Sequence, residues 1–97
     1  MSITKVRDYL KQFAADERII EFATSSATVE LAAQAAGCEP ARIAKTLSFK
    51  LHDESVILIV TAGDAKVDNA KYKHFFGCKA KMLSADEVEP LIGHAIG

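Results

Sequence analysis

No apolar run in these 97 residues is long enough to span a bilayer, which takes about 18 or more. The longest, VILIV at 56–60, has the length of a buried strand. The N-terminal MSITKVRDYLKQF is amphipathic and mixed in charge, unlike a secretory signal. Only two cysteines occur, Cys38 and Cys78, far apart and without CxxC or Cys/His ligand spacing. That pattern argues against a disulfide scaffold or a zinc frame and fits reduced thiols in a cytoplasmic protein. Also missing are HExxH, a Walker loop and GxGxxG, so no metal or organic cofactor is expected. Internal repeats, low-complexity tracts and linkers are absent too. A single small domain, 1–97, follows, and at this size only roughly 60–65% of the extended chain's surface is buried on folding.

What is present is ordinary globular composition, 49% apolar and 26% charged, arranged in short elements. Ser2 stands before a helical repeat of Ile3, Val6, Tyr9, Leu10 and Phe13. RIIEF at 18–22 reads as a short strand. The polar ATSSAT opens a second helix, VELAAQAAG, stopped by Gly37. Pro40 suits the first turn of another short helix. TLSFKL and VILIVTA form a hairpin across His52–Ser55. Asp64 or Asp68 caps a helix ending at Gly77, and KAKML follows as a fourth strand. Ser84 and Glu87 form a capping box before VEPLIG, with Pro90 in or just past its first turn. Helices alternating with strands, one pair of them a tight hairpin, give an α+β fold with a mixed, mainly antiparallel sheet and flanking helices. GHAIG closes the chain on a glycine without a further element, so the fold reads as incomplete at its C-terminal end.

The net charge of −1 conceals an asymmetry. Residues 1–41 carry four basic and six acidic side chains, and residues 82–97 three acidic ones. Residues 42–81 carry eight basic against four acidic, a local +4. Such a field attracts polyanions, although a charge run is more commonly a solvated face. Lys66, Lys71 and Lys73 are the candidate nucleic-acid contacts; read as one helical segment, at least two can share a face.

Catalytic triads do not assemble from this order of residues. His52, His74 and His94 fall in a turn, a helix and a terminal loop and read as surface histidines. Capping accounts for at least one of Ser25 and Ser26, and neither cysteine has a readable activator. A pocket-type constellation remains. Lys45 and Thr46 open the hairpin; Thr24 and Ser25 lie in a loop before a helix N-terminus, where an anion or carbonyl oxygen is accommodated. Gly93 and His94 begin a glycine-containing segment whose backbone N–H groups can approach a ligand. One cation, loop hydroxyls and backbone donors can stabilise a developing oxyanion without a protein nucleophile. On the residues alone, Lys45 reads more readily as a solvated charge at a strand end than as a pocket residue.

Taken in order, TVELAAQAAGCEPARIAKTLSFK, TAGDAKVDNAKYKHFFG, the capping box and GHAIG resemble the YbaK/prolyl-tRNA synthetase-associated family of aminoacyl-tRNA editing domains. The resemblance runs over essentially the whole chain and is most specific at IAKTL. It implies that Lys45 is the pocket lysine beside the aminoacyl-adenosine end. It also implies that Gly97 is the first glycine of a substrate-contacting G-x-x-x-P loop, and that further strands and a helix belong after it. Phe22 and Ala23 stand where some relatives carry tyrosine or histidine, at the substrate pocket. In the cysteinyl-tRNA(Pro) branch that this sequence resembles, the substrate's own thiol or sugar hydroxyl attacks the ester, consistent with the lack of a nucleophile here.

Three functions follow as expectations. The first is a deacylase acting in trans on cysteinyl-tRNA(Pro) or a related mischarged tRNA(Pro), the basic middle holding the acceptor stem by phosphate contacts. The second, distinguished by lacking turnover, is a non-catalytic module that binds aminoacyl-tRNA or prolyl-tRNA synthetase. The third is an unrelated small-molecule or interaction domain. No membrane partner is expected, and an uncovered sheet edge invites a homodimer.

Overall fold

The structure is a computed structural model and describes residues 2–24 and 27–96. The described residues form four helices, α1 (Ile3–Lys11), α2 (Val29–Ala36), α3 (Asn69–Phe76) and α4 (Ala85–Ile92), and an antiparallel hairpin of β1 (Ala44–Lys50) and β2 (Val56–Ala62). The α+β expectation therefore holds, and the described sheet is antiparallel. Among the described residues no helix is long and apolar enough to cross a membrane.

Local chemistry explains the element ends. Thr28 caps α2 by accepting from the Leu31 N–H at 3.1 Å. Asp68, rather than Asp64, caps α3 by accepting from the Lys71 N–H at 3.0 Å. Gly37 and Gly77 stop α2 and α3 in the left-handed region, at φ 68° and 75°, where a side chain would be strained. In α4 the Glu87 carboxylate reaches back to the Ser84 N–H and hydroxyl, both at 3.0 Å, and the expected capping box forms. Pro90 lies inside this helix, just past its first turn. The missing N–H costs the bond to the Asp86 carbonyl, and the helix ends two residues later.

Strand pairing fixes which residues share a face. The register sets Lys45 opposite Thr61, Leu47 opposite Ile59 and Phe49 opposite Ile57. These six form the covered face. Its centre is Phe49, 3% exposed, packed on the equally buried Tyr72 of α3 with ring centroids 5.0 Å apart. Tyr72 in turn stacks on Phe76, one turn later on α3, at 4.6 Å. Burying one such ring contributes about 1.5–3 kcal/mol. The other face presents Thr46 opposite Val60 and Ser48 opposite Leu58, with Val60 65% and Leu58 55% exposed.

Two expected strands are corrected. Residues 18–22 do not pair: Asp16–Arg18 is a 3₁₀ turn, and the following segment is irregular with Ile20 exposed. Apolar character alone does not make a strand, which needs a partner's ladder, and among the described residues none lies beside it. Glu21 instead pairs with Arg7 of α1 at 2.9 Å. KAKML reaches the free edge of β1 but forms one bridge, Phe49 to Met82. Its flanking bonds are Lys50 N–H to Lys81 O at 2.9 Å and Leu83 N–H to Ser48 O at 3.2 Å. The short helix expected at Pro40 is a 3₁₀ turn, Pro40–Arg42.

Candidate active site

Lys45 is the second residue of β1, directly after the 3₁₀ turn that Pro40 opens. Strand alternation points it to the covered face, the same face as Leu47 and Phe49. Its Nζ donates to the Gly63 carbonyl at 3.2 Å in a half-buried position. A lysine stem laid against apolar strand residues, with the amine at its margin, is therefore what the fold builds here.

Gly63 is held where it is by close approach rather than by an unusual φ. A Cβ there would lie 2.2 Å from the Pro40 carbonyl oxygen and 2.6 Å from Cγ1 of Val29. The turn after β2 thus packs directly on the 3₁₀ turn and on the first residue of α2. The carbonyl facing Lys45 is fixed by that packing. Thr61, opposite Lys45 on β2, has its hydroxyl oxygen buried without a hydrogen-bond partner among the described residues. Neither Gly63 nor Thr61 stands out in the sequence. Alternation within VILIVTA assigns Thr61 to Lys45's face only once the hairpin register is known.

The remaining sequence candidates are distributed around this point. Thr46 points to the opposite, exposed face, because neighbouring strand residues alternate. Thr24 lines an open cavity of about 400 Å³ with Leu31, Gln34 and Ala35 of α2. On α2 these three lie about 200°, 140° and 240° around from Val29, on the side turned away from Gly63. Phe22 is 41% exposed in the irregular segment before Thr24. Gly93 ends α4 in the left-handed region, and its carbonyl accepts from Lys5 Nζ at 2.8 Å. The Nδ1 of His94 accepts from the Ser2 N–H at 3.2 Å. These two are seated against the start of α1. Ser25 and Gly97 lie outside the described residues.

The basic candidates also separate. Lys66 lies in the loop before α3 rather than in one helical segment with Lys71 and Lys73, because Asp68 starts the helix after it. Lys71 and Lys73, two residues apart, point about 200° from each other. Other basic groups that the sequence did not single out meet elsewhere. Lys50, His52, Lys79 and Lys81 line an open cavity of about 290 Å³ at the hairpin tip, together with Leu51, Glu54 and Cys78. Lys50 is already paired with Glu87 of α4. That hydrogen bond, with those from Ser84, holds the Glu87 carboxyl down to about 2. Burial pushes the Tyr72 phenol up. Among the described residues no group of three His, Cys, Asp or Glu side chains is placed to hold a metal ion.

A half-buried lysine on a strand, its amine at a backbone turn packed on a helix start, is a cation positioned by the fold rather than a free surface charge. The chain is similar to known proteins. YwhH of Bacillus subtilis, an uncharacterized protein, is 52% identical over 97 residues, covering all of this chain and 62% of its own length. A proline–tRNA ligase of Bacillus cytotoxicus is 28% identical over 94 residues, 95% of this chain and 16% of the ligase. A crystal structure described as a candidate trans-editing enzyme for prolyl tRNA synthetase superposes with a TM-score of 0.83 at 28% identity, over all of this chain and 63% of that one. The chain thus spans a little over three-fifths of the length of its full-coverage relatives. The model of the aminoacyl-tRNA editing domain matches residues 23–97, the stretch that contains Lys45, Thr61 and Gly63, and the chain belongs to that family.

Proposed function

We propose that this chain acts in prolyl-tRNA quality control as an aminoacyl-tRNA deacylase working in trans, on cysteinyl-tRNA(Pro) or a related mischarged tRNA(Pro). The observation that carries the reading is Lys45: its Nζ is held at the Gly63 carbonyl, within the segment that the editing-domain family matches. The similarity to a proline–tRNA ligase and to a candidate trans-editing enzyme supports tRNA(Pro) and prolyl-tRNA synthetase as partners.

The chemistry asked of the site is ester hydrolysis. A water oxygen, or a nucleophile of the substrate itself, adds to the ester carbonyl; the carbonyl oxygen takes the negative charge; the bond to the ribose oxygen breaks and that oxygen takes a proton. A lysine ammonium has three N–H donors. With one on Gly63, two remain for the developing oxyanion, and such donors act strongly where water is partly excluded. No protein nucleophile is required. Lys66, Lys71 and Lys73 are assigned contacts with the tRNA phosphates, which position the substrate without reading its bases.

Deacylation of a panel of tRNA(Pro) species carrying different amino acids tests the reading. One species is expected to be hydrolysed preferentially, and Lys45→Ala to lower its rate by about 10²–10³. A well-folded Lys45→Ala protein with unchanged turnover removes Lys45 from the chemistry. Salt-dependent tRNA binding without turnover of any species replaces the enzyme by a binding module.

A further inference from the structure

Thr61 carries a buried hydroxyl oxygen for which the structure supplies no hydrogen-bond partner among the described residues. Buried hydroxyls are ordinarily satisfied, so an unpaired one calls for a reason. Its position supplies one. Thr61 is directly opposite Lys45 in the hairpin register, on the covered face. Directly opposed Cβ atoms lie about 4.5–5.5 Å apart, a span that a four-carbon stem easily bridges. The bond that Lys45 does make, to the Gly63 carbonyl, is 3.2 Å long, against about 2.7–2.9 Å for a well-formed charge-assisted bond. Among the described residues the amine has one partner and two donors left over, and Thr61, opposite it in the register, has a hydroxyl oxygen without one.

We propose that Thr61 is a positioning residue for Lys45: its Oγ1 accepts a hydrogen bond from the ammonium in exchange with the Gly63 carbonyl, both in the free protein and as the amine turns toward a bound ligand. Two acceptors two residues apart, Thr61 Oγ1 near the end of β2 and Gly63 O in the turn after it, then bracket the amine. The rigid hairpin sets where it stops, and the threonine hydroxyl gains the partner it lacks. This rests on the deacylase reading for its purpose, but not for its geometry. Thr61 itself need not touch the substrate; it acts through Lys45.

The test uses the 97-residue chain and two readouts. In the first, an amine-reactive N-hydroxysuccinimide ester labels the protein, and the acylation rate at Lys45 is followed by peptide mass spectrometry. Thr61→Val, which keeps the shape and removes the hydroxyl, is expected to raise that rate about fivefold, the equivalent of one ordinary hydrogen bond. Thr61→Ser is expected to return it to within about twofold of the parent, and Thr61→Ala serves if the valine variant does not fold. In the second, deacylation of the preferred substrate is expected to lose kcat with KM nearly unchanged in Thr61→Val and to recover in Thr61→Ser. Lys45 labelling that is the same in parent, Thr61→Val and Thr61→Ala overturns the proposal, whatever the deacylation rates. Altered labelling in a chain that hydrolyses no aminoacyl-tRNA keeps Thr61 as Lys45's partner and removes the deacylase reading instead.

Discussion

The two faces of the β1–β2 hairpin are built from the same strands and share every backbone hydrogen bond, yet they have opposite characters. One face carries Lys45, Leu47, Phe49, Ile57, Ile59 and Thr61, and is covered, with Phe49 at its centre against Tyr72. The other carries Thr46, Ser48, Leu58 and Val60, and both of its large aliphatic side chains are mostly exposed. The lesson concerns polarity. The covered face holds a lysine and a threonine, and the exposed face holds a leucine and a valine. Residue type alone would have assigned them the other way round. The radius of gyration, 15.1 Å against about 13 Å for a compact chain of this size, agrees with so much apolar surface remaining outside.

The largest expected difference between the faces is in stability. Phe49→Ala is expected to cost about 3–5 kcal/mol, a large share of a small domain's total. Val60→Ala on the outer face should stay within about 0.5 kcal/mol. Urea titrations with a common slope measure both, and comparable losses would mean that the outer face is covered in solution. Activity gives the next contrast. Lys45→Ala is expected to reduce deacylation by about 10²–10³, whereas Thr46→Ala, its neighbour on the opposite face, should remain within a few-fold.

Gly63→Ala sharpens the comparison at the margin of the covered face. The added methyl meets the Pro40 carbonyl oxygen and the Val29 side chain, and forcing extra volume into a tight site costs about 1–3 kcal/mol. Because the shift displaces the carbonyl that holds Lys45, deacylation should fall further than stability does. Thermal melts and rates on the same preparation separate the two effects.

The smallest effect belongs to the outer face, where Lys50 pairs with Glu87. The Glu87 carboxyl is held down to about 2 in the folded protein, by Lys50 first and then by Ser84. A lowered carboxyl favours the folded state above the unfolded value of about 4.3, and that contribution is lost as pH falls toward 2. Glu87→Gln should therefore flatten the acid limb of a stability–pH curve between about pH 5 and 2, with little change at pH 7 beyond the loss of the pair. An NMR titration of Glu87 that gave a midpoint near 4 would show that the pair does not persist in solution.

Much of the fold was legible in the residues. Gly37 and Gly77 ended helices because each takes a left-handed φ, and Ser84 with Glu87 formed the capping box their spacing specified. The hairpin followed from two β-rich runs around a polar turn. RIIEF misled because its apolar, branched composition satisfies local strand preference while no ladder adjoins it among the described residues. Lys66 misled because Asp64 and Asp68 are equivalent caps by sequence, and only folding chose Asp68. At the candidate site, Lys45 was readable as a cation at a strand entry, but its two neighbours, Thr61 and Gly63, were not.

That division has one physical source. The sequence by itself determined what depends on residues close in the chain: helix stops, the Ser84–Glu87 capping box, the polar hairpin turn, the basic middle and the strand that carries Lys45. Tertiary structure decided what depends on pairing across the chain. It set the face that is covered, with Lys45 inward and Thr46 outward, and the partner that residues 18–22 do not find. It also packed Gly63 against Pro40 and Val29, which puts a fixed carbonyl at the lysine's end. A strand has a period of two, so one step of register exchanges its faces; the hairpin turn closes that register locally, and only packing against α3 decides which face is covered.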